Sequence, residues 1–450
     1  MIDVKTKICS FFIFNSNFGP KEGEELKKII YYHPSQTASD ARKMQVGLCE
    51  AVVKFMSTFS SEPCEALQTQ TKRYIFYQPE KGFWMILVVR IPYTTKALSA
   101  IGETQGEVVD PSVMSDLLTS AYKMFRMFMG PFKDIPIDEI YTTCEEIFTP
   151  YILSTNLKND VSDIIQGIHY LPLDKNTFFR VVCFIDLLEV NYPDFKCISF
   201  VYNDQLIWNS LSNNDMLTLY QYLVQTLIPK QVEKEIHGDA VAAAQRHGRF
   251  VSPAEGIRNK EDLQKLVKVY LMREDDNETK QYYLIVYRTL SATICFTVDV
   301  NTNLDIETFR ALDAFMGPQL FSIASSISEQ CTIHALQTAQ LATDHKFVYF
   351  NRLNLAFKTS PANKLVPSGA VKPEVLSMIA NIHSDRKSLG NYGEIIIKIP
   401  DEYWITGKVS NEREFYVIIQ EKNATLKEIS DEVKRICESQ MKGALFFYPI

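Results

Sequence analysis

The stretch Cys197-Ile198-Ser199-Phe200-Val201-Tyr202-Asn203-Asp204-Gln205-Leu206-Ile207-Trp208-Asn209-Ser210 reads as a complete β-hairpin. Two runs dense in Ile, Phe, Val, Tyr and Trp flank Asn203-Asp204, and such a polar pair between apolar runs signals a tight turn. Outward from it come an amphipathic segment, a second strand pair at Tyr282–Tyr287 with Thr293–Asp299, and a closing helical run. The same order stands on either side. Ser10–Asn15 with Lys28–Tyr32 and Lys346–Thr359 open the other copies; Arg73–Tyr77 with Phe83–Ile91 and Trp404–Gly407 with Glu414–Gln420 are their later strand pairs. The unit is ββαβββα-like and returns three times.

A spacing well above a hundred residues is too long for a solenoid, whose repeats are roughly 20–50 residues. It predicts an α+β chain of three small domains in series, each with a mixed, mainly antiparallel sheet flanked by helices. The boundaries fall at 1–155, 156–335 and 336–450. At 450 residues the chain suits about three domains of ~100–200 residues. Composition marks the connections: Lys133–Lys175 with Pro136, Pro150 and Pro172 between the first two units, and the Thr- and Gln-rich Ser328–Asp344 before the third. Gln231–Lys260, Thr359–Val371 and Ser384–Gly393 read as loops within units.

A net charge of −7 argues against the basic stripe that nucleic acid requires. It also works against adsorption to anionic lipid, so membrane contact is expected to be weak or indirect. The nine cysteines form no CxxC pair. Cys9, Cys49, Cys183, Cys197, Cys295 and Cys437 lie in apolar runs and read as reduced core thiols of a cytosolic protein. Cys9–Phe14 is too short for a signal-peptide core, and no apolar run approaches the ~20 residues that cross a bilayer.

No phosphate loop, GxGxxG, HExxH or GxSxG string is present, and no histidine pair has zinc spacing with cysteine. No metal or cofactor is implied. His33, before Pro34, reads as structural rather than catalytic, and His247, in Gln245–Phe250, as a docking element. Glu145-Glu146 read as an exposed helix face. Lys21–Lys28 and Arg273–Lys280 are mixed-sign and read first as solvated edges. Nothing assembles a nucleophile, a base and an oxyanion site, so the expectation is no covalent chemistry.

The helix Asp40–Phe59 carries two apolar stripes. Met44, Leu48, Val52, Met56 and Phe59 form the face expected to cover its own sheet. Val46, Cys49 and Val53 form a second, with Gly47 and Ala51 as small residues that permit close backbone approach. A helix apolar on two sides is buried on two sides. The second stripe meets another domain or another chain, or is sandwiched within this chain.

Several strings resemble the Ccz (calcium-caffeine-zinc sensitivity) family. They are Ser10–Asn15, Phe18–Glu25, Tyr31-Tyr32-His33-Pro34, Val46–Ala51, Phe83-Trp84-Met85, Tyr202–Trp208, His247–Phe250, Met316–Leu320, Tyr403-Trp404 and Arg413–Ile418. The resemblance spans essentially the whole chain; apart from His247–Phe250, the loops Gln231–Lys260 and Thr359–Val371 lie outside it. It implies three longin domains, pairing with the Mon protein, and a guanine-nucleotide exchange factor for the late-endosomal Rab GTPase. It further implies a third, scaffold-like subunit in animals and a cytoplasmic location, peripheral on late endosomes and lysosomes. On that footing Tyr31, Tyr32, His33, Pro34, Val46, Cys49, Glu50 and Val53 are candidates for the Mon and GTPase contacts. Phe18, Glu22 and Glu24 are candidates for a loop that meets the GTPase. Exchange proceeds by binding the nucleotide-free GTPase more tightly than the loaded one, which needs no catalytic constellation. Other readings stay open: a longin scaffold or coat subunit, the Fuzzy and Inturned type, the lysosome-related-organelle exchange complex, or a hydrolase or transferase. The strings Gly19–Glu25 and Val46–Ala51 favour Ccz over the other tri-longin groups.

Overall fold

The computed structural model describes residues 7–21, 23–61, 63–90, 111–155, 165–236, 248–252, 257, 259–272, 279–340, 346–360, 373–384, 390, 392–399, 403–421 and 423–441. Glu22 and His247 lie outside the described residues, as do most of the three predicted loops and 273–278 of the charged Arg273–Lys280 run. The chain forms two compact units, one of residues 1–164 with 371–380, the other of 165–370 with 381–450.

The first unit holds a five-stranded antiparallel sheet. Its strands are β1 Lys7–Asn15, β2 Ile29–His33, β3 Ala66–Gln68, β4 Lys72–Glu80 and β5 Phe83–Arg90, in the order β2-β1-β5-β4-β3. The central strands β1 and β5 are continuous apolar runs because they are covered on both faces. Phe12, Phe14, Trp84, Ile86 and Val88 point to the helix α1, Ser39–Ser57. Phe11 points the other way, where Phe148 of α3, Ile137–Ser154, stacks 5.2 Å from Phe125 of α2, Pro111–Met129. The predicted linker Lys133–Lys175 therefore begins as part of this domain's own core. Its prolines mimic a connection, although Pro150 lies inside α3, whereas the apolar spacing Ile140, Cys144, Phe148, Ile152 builds a packed helix.

The second unit opens with β6 Ile168–His169 and α4 Lys175–Asn191. The hairpin β7 Phe195–Tyr202 and β8 Gln205–Asn209 follows, with Asn203 in the left-handed region at φ 54° as its turn requires. Next come α5 Asn213–Tyr222, a π turn, α6 Ile228–Ile236, β9 Arg249–Phe250, β10 Val267–Met272, β11 Thr279–Thr289, β12 Ala292–Asp299 and α7 Ile306–Gln340. The sheet order is β10-β11-β12-β7-β8, with β9 beside β11. One face packs on α4 and α7 through Phe184, Leu188, Met316 and Leu320; the other packs on α5, where Met216 receives the Ser199 hydroxyl at 3.4 Å. The Ser328–Asp344 boundary is helix as far as Gln340, α7 running on beyond its buried stripe of Ile323, Ala324 and Ile327, with Cys331 still packed against the core.

The third sheet repeats the order. In chain order come β13 Lys346–Asn351, β14 Ala356–Thr359, α8 Pro373–Ser384, whose residues as far as Ala380 belong to the first unit, β15 Tyr392–Ile399, β16 Tyr403–Ser410, β17 Arg413–Ile419 and α9 Leu426–Met441. The strands run β15-β16-β17-β13-β14-β6. In all three sheets the opening hairpin lies beside the last strand of a later triplet. The edge strands β3, β10 and β15, unnamed in the strand pairs read from sequence, complete those triplets. The stretch read as the loop Ser384–Gly393 leads into one of them. The one parallel pairing among the named strands is β6 with β14, Ile168 opposite Ala356 and His169 opposite Phe357. Tyr170 then bridges to Leu206 on β8. Residues 168–170, placed in the linker by composition, thus join the second and third sheets edge to edge within their unit.

Of the six thiols read as core, Cys49, Cys295 and Cys437 are buried, Cys9 and Cys197 are half-buried, and Cys183 is exposed on α4. No helix among the described residues is long and apolar enough to cross a membrane.

Candidate functional site

The two stripes of α1 are real, and their directions are the reverse of those expected. Val46 and Cys49 are buried in the first domain's core, and Val52 and Val53 pack against it, beneath Phe12, Phe14, Tyr32, Tyr74 and Trp84. The reason is volume. A sheet face already filled by aromatic rings leaves room for a helix only if the helix presents short side chains, and Val and Cys let it approach. The longer side chains point out: Met44, Leu48, Phe55 and Phe59 are 49–76% exposed. Met56 is also exposed, so Val52 alone of the stripe assigned to the sheet turns inward. Burial pushes the Cys49 thiol up to about 12, which makes it an unreactive core group.

Glu50 is also part of the domain's own fabric. Both its carboxylate oxygens accept from Lys28 Nζ at 3.0 Å, and Lys54 Nζ reaches one at 2.7 Å. Burial would raise its pKa, yet the hydrogen bonds and charges of Lys54 and Lys28 hold it below the usual carboxylate range. The pair ties α1 to the turn Glu25–Lys28 that ends the Phe18–Glu25 loop. From the other side the Tyr141 hydroxyl donates to the Lys27 carbonyl at 2.9 Å.

On β2, Tyr31 and Tyr32 point to opposite faces and are both buried. The Tyr31 ring meets Phe11 and Phe148, with its hydroxyl 3.1 Å from Thr149 Oγ1. Tyr32 stacks on Phe12 and donates to Gln45 at 2.7 Å. They hold β2 between the helices and leave no side chain free for a partner. His33 and Pro34 are half-exposed at the strand end. In the loop, Phe18 lies edge-on to Phe83 at 6.0 Å, and Glu24 pairs with Lys27 at 2.7 Å.

The feature left facing out is therefore a row on α1 and the turn that follows it: Met44, Gly47, Leu48, Ala51 and Phe55, then Phe59, all exposed. Phe55 and Phe59 rings are 4.9 Å apart. A Cβ on Gly47 would meet nothing within 4 Å in this chain. A helix-interior glycine weakens the helix by ~0.5–1 kcal/mol relative to alanine, so its place in an apolar row fits a second backbone passing close by. Spacing alone could have grouped Gly47 and Ala51 with Met44, Leu48 and Phe55, at i, i+3, i+4, i+7 and i+11. The misleading cue was length, since long apolar side chains look like core. Glu145 and Glu146 are exposed, and no three His, Cys, Asp or Glu side chains among the described residues converge as a metal cage.

Comparisons with known proteins agree with this architecture. The family model described as the first longin domain of INTU, CCZ1 and HPS4 matches residues 8–130, and Intu longin-like domains 2 and 3 match 195–317 and 342–436. The chain is 36% identical to the vacuolar fusion protein CCZ1 homolog of Xenopus tropicalis, over 98% of this chain and 97% of the relative. It is 36% identical to the homolog of Nematostella vectensis, over 98% of each chain. The homolog of Dictyostelium discoideum is 27% identical over 96% of each. With three longin-like domains in series and similarity along nearly its whole length, this chain belongs to the family of vacuolar fusion protein CCZ1 homologues.

Proposed function

We propose that this chain is one subunit of a heteromeric guanine-nucleotide exchange factor, paired with a Mon protein and acting on the late-endosomal Rab GTPase. Its setting is endosome maturation and the fusion of lysosomes, vacuoles and autophagosomes. The observation that carries the reading is the outward row of α1, Met44 to Phe59 with Gly47 within it, on a first longin domain whose inward face is already filled. Covering such a row removes several large apolar side chains from water, each contributing on the order of 1–2 kcal/mol. A contact built from one helix suits a similar helix of a second longin domain. Val46, Cys49, Val53 and Glu50 support that contact from behind, by fixing where the helix sits, and the Phe18–Glu25 loop is held beside it by Lys28. In this reading the subunit performs no covalent step. The pair lowers the barrier to nucleotide release by binding the empty GTPase more tightly than the loaded one. It acts as a cytoplasmic protein peripheral on late endosomes and lysosomes, with a third scaffold-like subunit in animals.

Release of a fluorescent GDP analogue from the Rab, with this chain, with Mon, and with the co-expressed pair, tests the proposal. Acceleration by the pair alone is expected. A stable pair without acceleration would make the chain a structural longin subunit. In the same assay Leu48→Asp with Phe55→Asp is expected to abolish pairing and acceleration together. Retained exchange would remove the α1 row from the interface.

A further inference from the structure

A second helix is also apolar on both sides, and neither the family match nor the first-domain reading uses it. α4 buries Val181, Phe184, Ile185 and Leu188 against the second sheet. On its opposite side Phe179, Cys183, Leu187 and Val190 lie at i, i+4, i+8 and i+11, one row over about 16 Å of helix. Phe179, Leu187 and Val190 are 60%, 48% and 78% exposed, and Cys183 is exposed. Scattered surface apolar residues are ordinary, whereas a continuous row is a binding feature. The rim has one sign at one end. Asp186 and Glu189 flank the row, Asp194 follows the helix, and none of the three is ion-paired among the described residues. The last turn of α4 holds no basic residue. These carboxylates therefore stand where the helix carbonyls already concentrate negative charge, a place that favours a cation. The N-terminal half is braced differently, Arg180 donating to Ser322 and Ser326 of α7 at 3.1 and 2.7 Å.

We propose that the row Phe179–Val190 on α4 is a docking surface for an amphipathic helix of a partner chain. That helix carries apolar residues at three-to-four spacing, flanked by lysine or arginine where it meets Asp186, Glu189 and Asp194. The apolar row supplies contact area; the acidic end sets orientation and excludes acidic helices. The surface is separate from α1, so it stands whether or not the first domain pairs as proposed.

The test uses the full chain expressed with its natural partners and a photo-crosslinker in place of Phe179, the crosslinked peptide being sequenced by mass spectrometry. The expected peptide comes from another chain, has helical apolar spacing, and carries Lys or Arg within one turn of it. Cys183 provides an independent readout. Its labelling by a maleimide in the assembled complex is expected to rise ~10-fold in Leu187→Asp or Val190→Asp, and in Asp186→Lys combined with Glu189→Lys. These side chains are exposed, so a thermal melt unchanged from the parent shows that the fold is intact. A crosslink within the same chain, to a second copy of it or to a segment without basic flanks overturns the proposal. So does the absence of a crosslink, or rapid Cys183 labelling in the unaltered complex. Nucleotide release by the pair is measured in parallel and is expected to be unchanged, which separates failure here from failure of the exchange reading.

Discussion

Leu48 and Cys49 are neighbours in the chain and face opposite environments, so equal chemical insults at the two sites should have different outcomes. Val46→Asp, on Cys49's side, places a carboxylate in the apolar cluster of Phe12, Tyr74 and Trp84. It is expected to lower stability by about 3 kcal/mol or more, visible as a reduced Tm. Leu48→Asp leaves the isolated chain within roughly 0.5 kcal/mol of the parent and acts on pairing instead. Equal Tm losses would contradict the assignment of faces. In the third sheet, Glu414 is fully buried, with Arg352 Nε at 2.6 Å, His383 Nδ1 at 2.6 Å and the Tyr416 hydroxyl at 2.7 Å. Burial alone would raise its pKa, but His383, Tyr416 and Arg352 outweigh it and hold the carboxyl down to about 2. Because the folded-state pKa is depressed, the stabilisation is complete above the unfolded value of about 4.3 and is lost as pH falls from there toward 2. Glu414→Gln is expected to cost about 3 kcal/mol at neutral pH, and its Tm deficit should shrink between pH of about 4.5 and 3. A deficit independent of pH would assign the effect to packing.

At the scale of the element, α1 mediates between a filled core and an open surface, and Gly47 tests both roles at once. Gly47→Ala adds a methyl that touches nothing in this chain. It should stabilise the isolated protein by up to ~1 kcal/mol through helix propensity and a smaller unfolded-state entropy. The same methyl should weaken association if a partner backbone passes at that point. Opposite signs in a thermal melt and a binding titration are the expected result. Tighter binding would show that the glycine is not a crossing point. The Lys28–Glu50 pair couples the neighbouring loop to this helix, since the turn before β2, which has its own Glu24–Lys27 pair, is also held by a residue of α1.

At the scale of the molecule, Ile168–Tyr170 couples the second and third sheets within one unit. The Ile168 amide donates to the Leu355 carbonyl at 2.7 Å, Leu171 to Leu206 at 3.0 Å, and the Tyr170 hydroxyl to Asn354 at 3.1 Å. Gly167 is required there: a Cβ would stand 2.4 Å from the Phe357 Cβ and 3.0 Å from the Leu355 carbonyl oxygen. Gly167→Val is expected to lift the segment from β14 and to split the urea unfolding of the second unit, 165–370 with 381–450, into two transitions where the parent shows one. A single unaltered transition would mean that the stitch carries no cooperativity.

What the sequence by itself determined is the repeated unit. Strand-dense runs, Asn-Asp and similar turns and helical spacing are local signals, and they place Phe11–Phe14, Ile198–Tyr202 and Phe347–Phe350 in strands without reference to neighbours. The family strings were equally legible, being contiguous. The two-sidedness of α1 could also be read along the chain, because periodicity is a property of one helix. Only the tertiary structure decided which side faces in, since that depends on how much volume Phe12, Tyr74 and Trp84 leave over the sheet. It likewise decided that Tyr31 and Tyr32 are consumed by their own domain and that residues 168–170 are strand. A two-residue strand has no pattern of its own and exists only because the edges of β8 and β14 supply its hydrogen-bond partners.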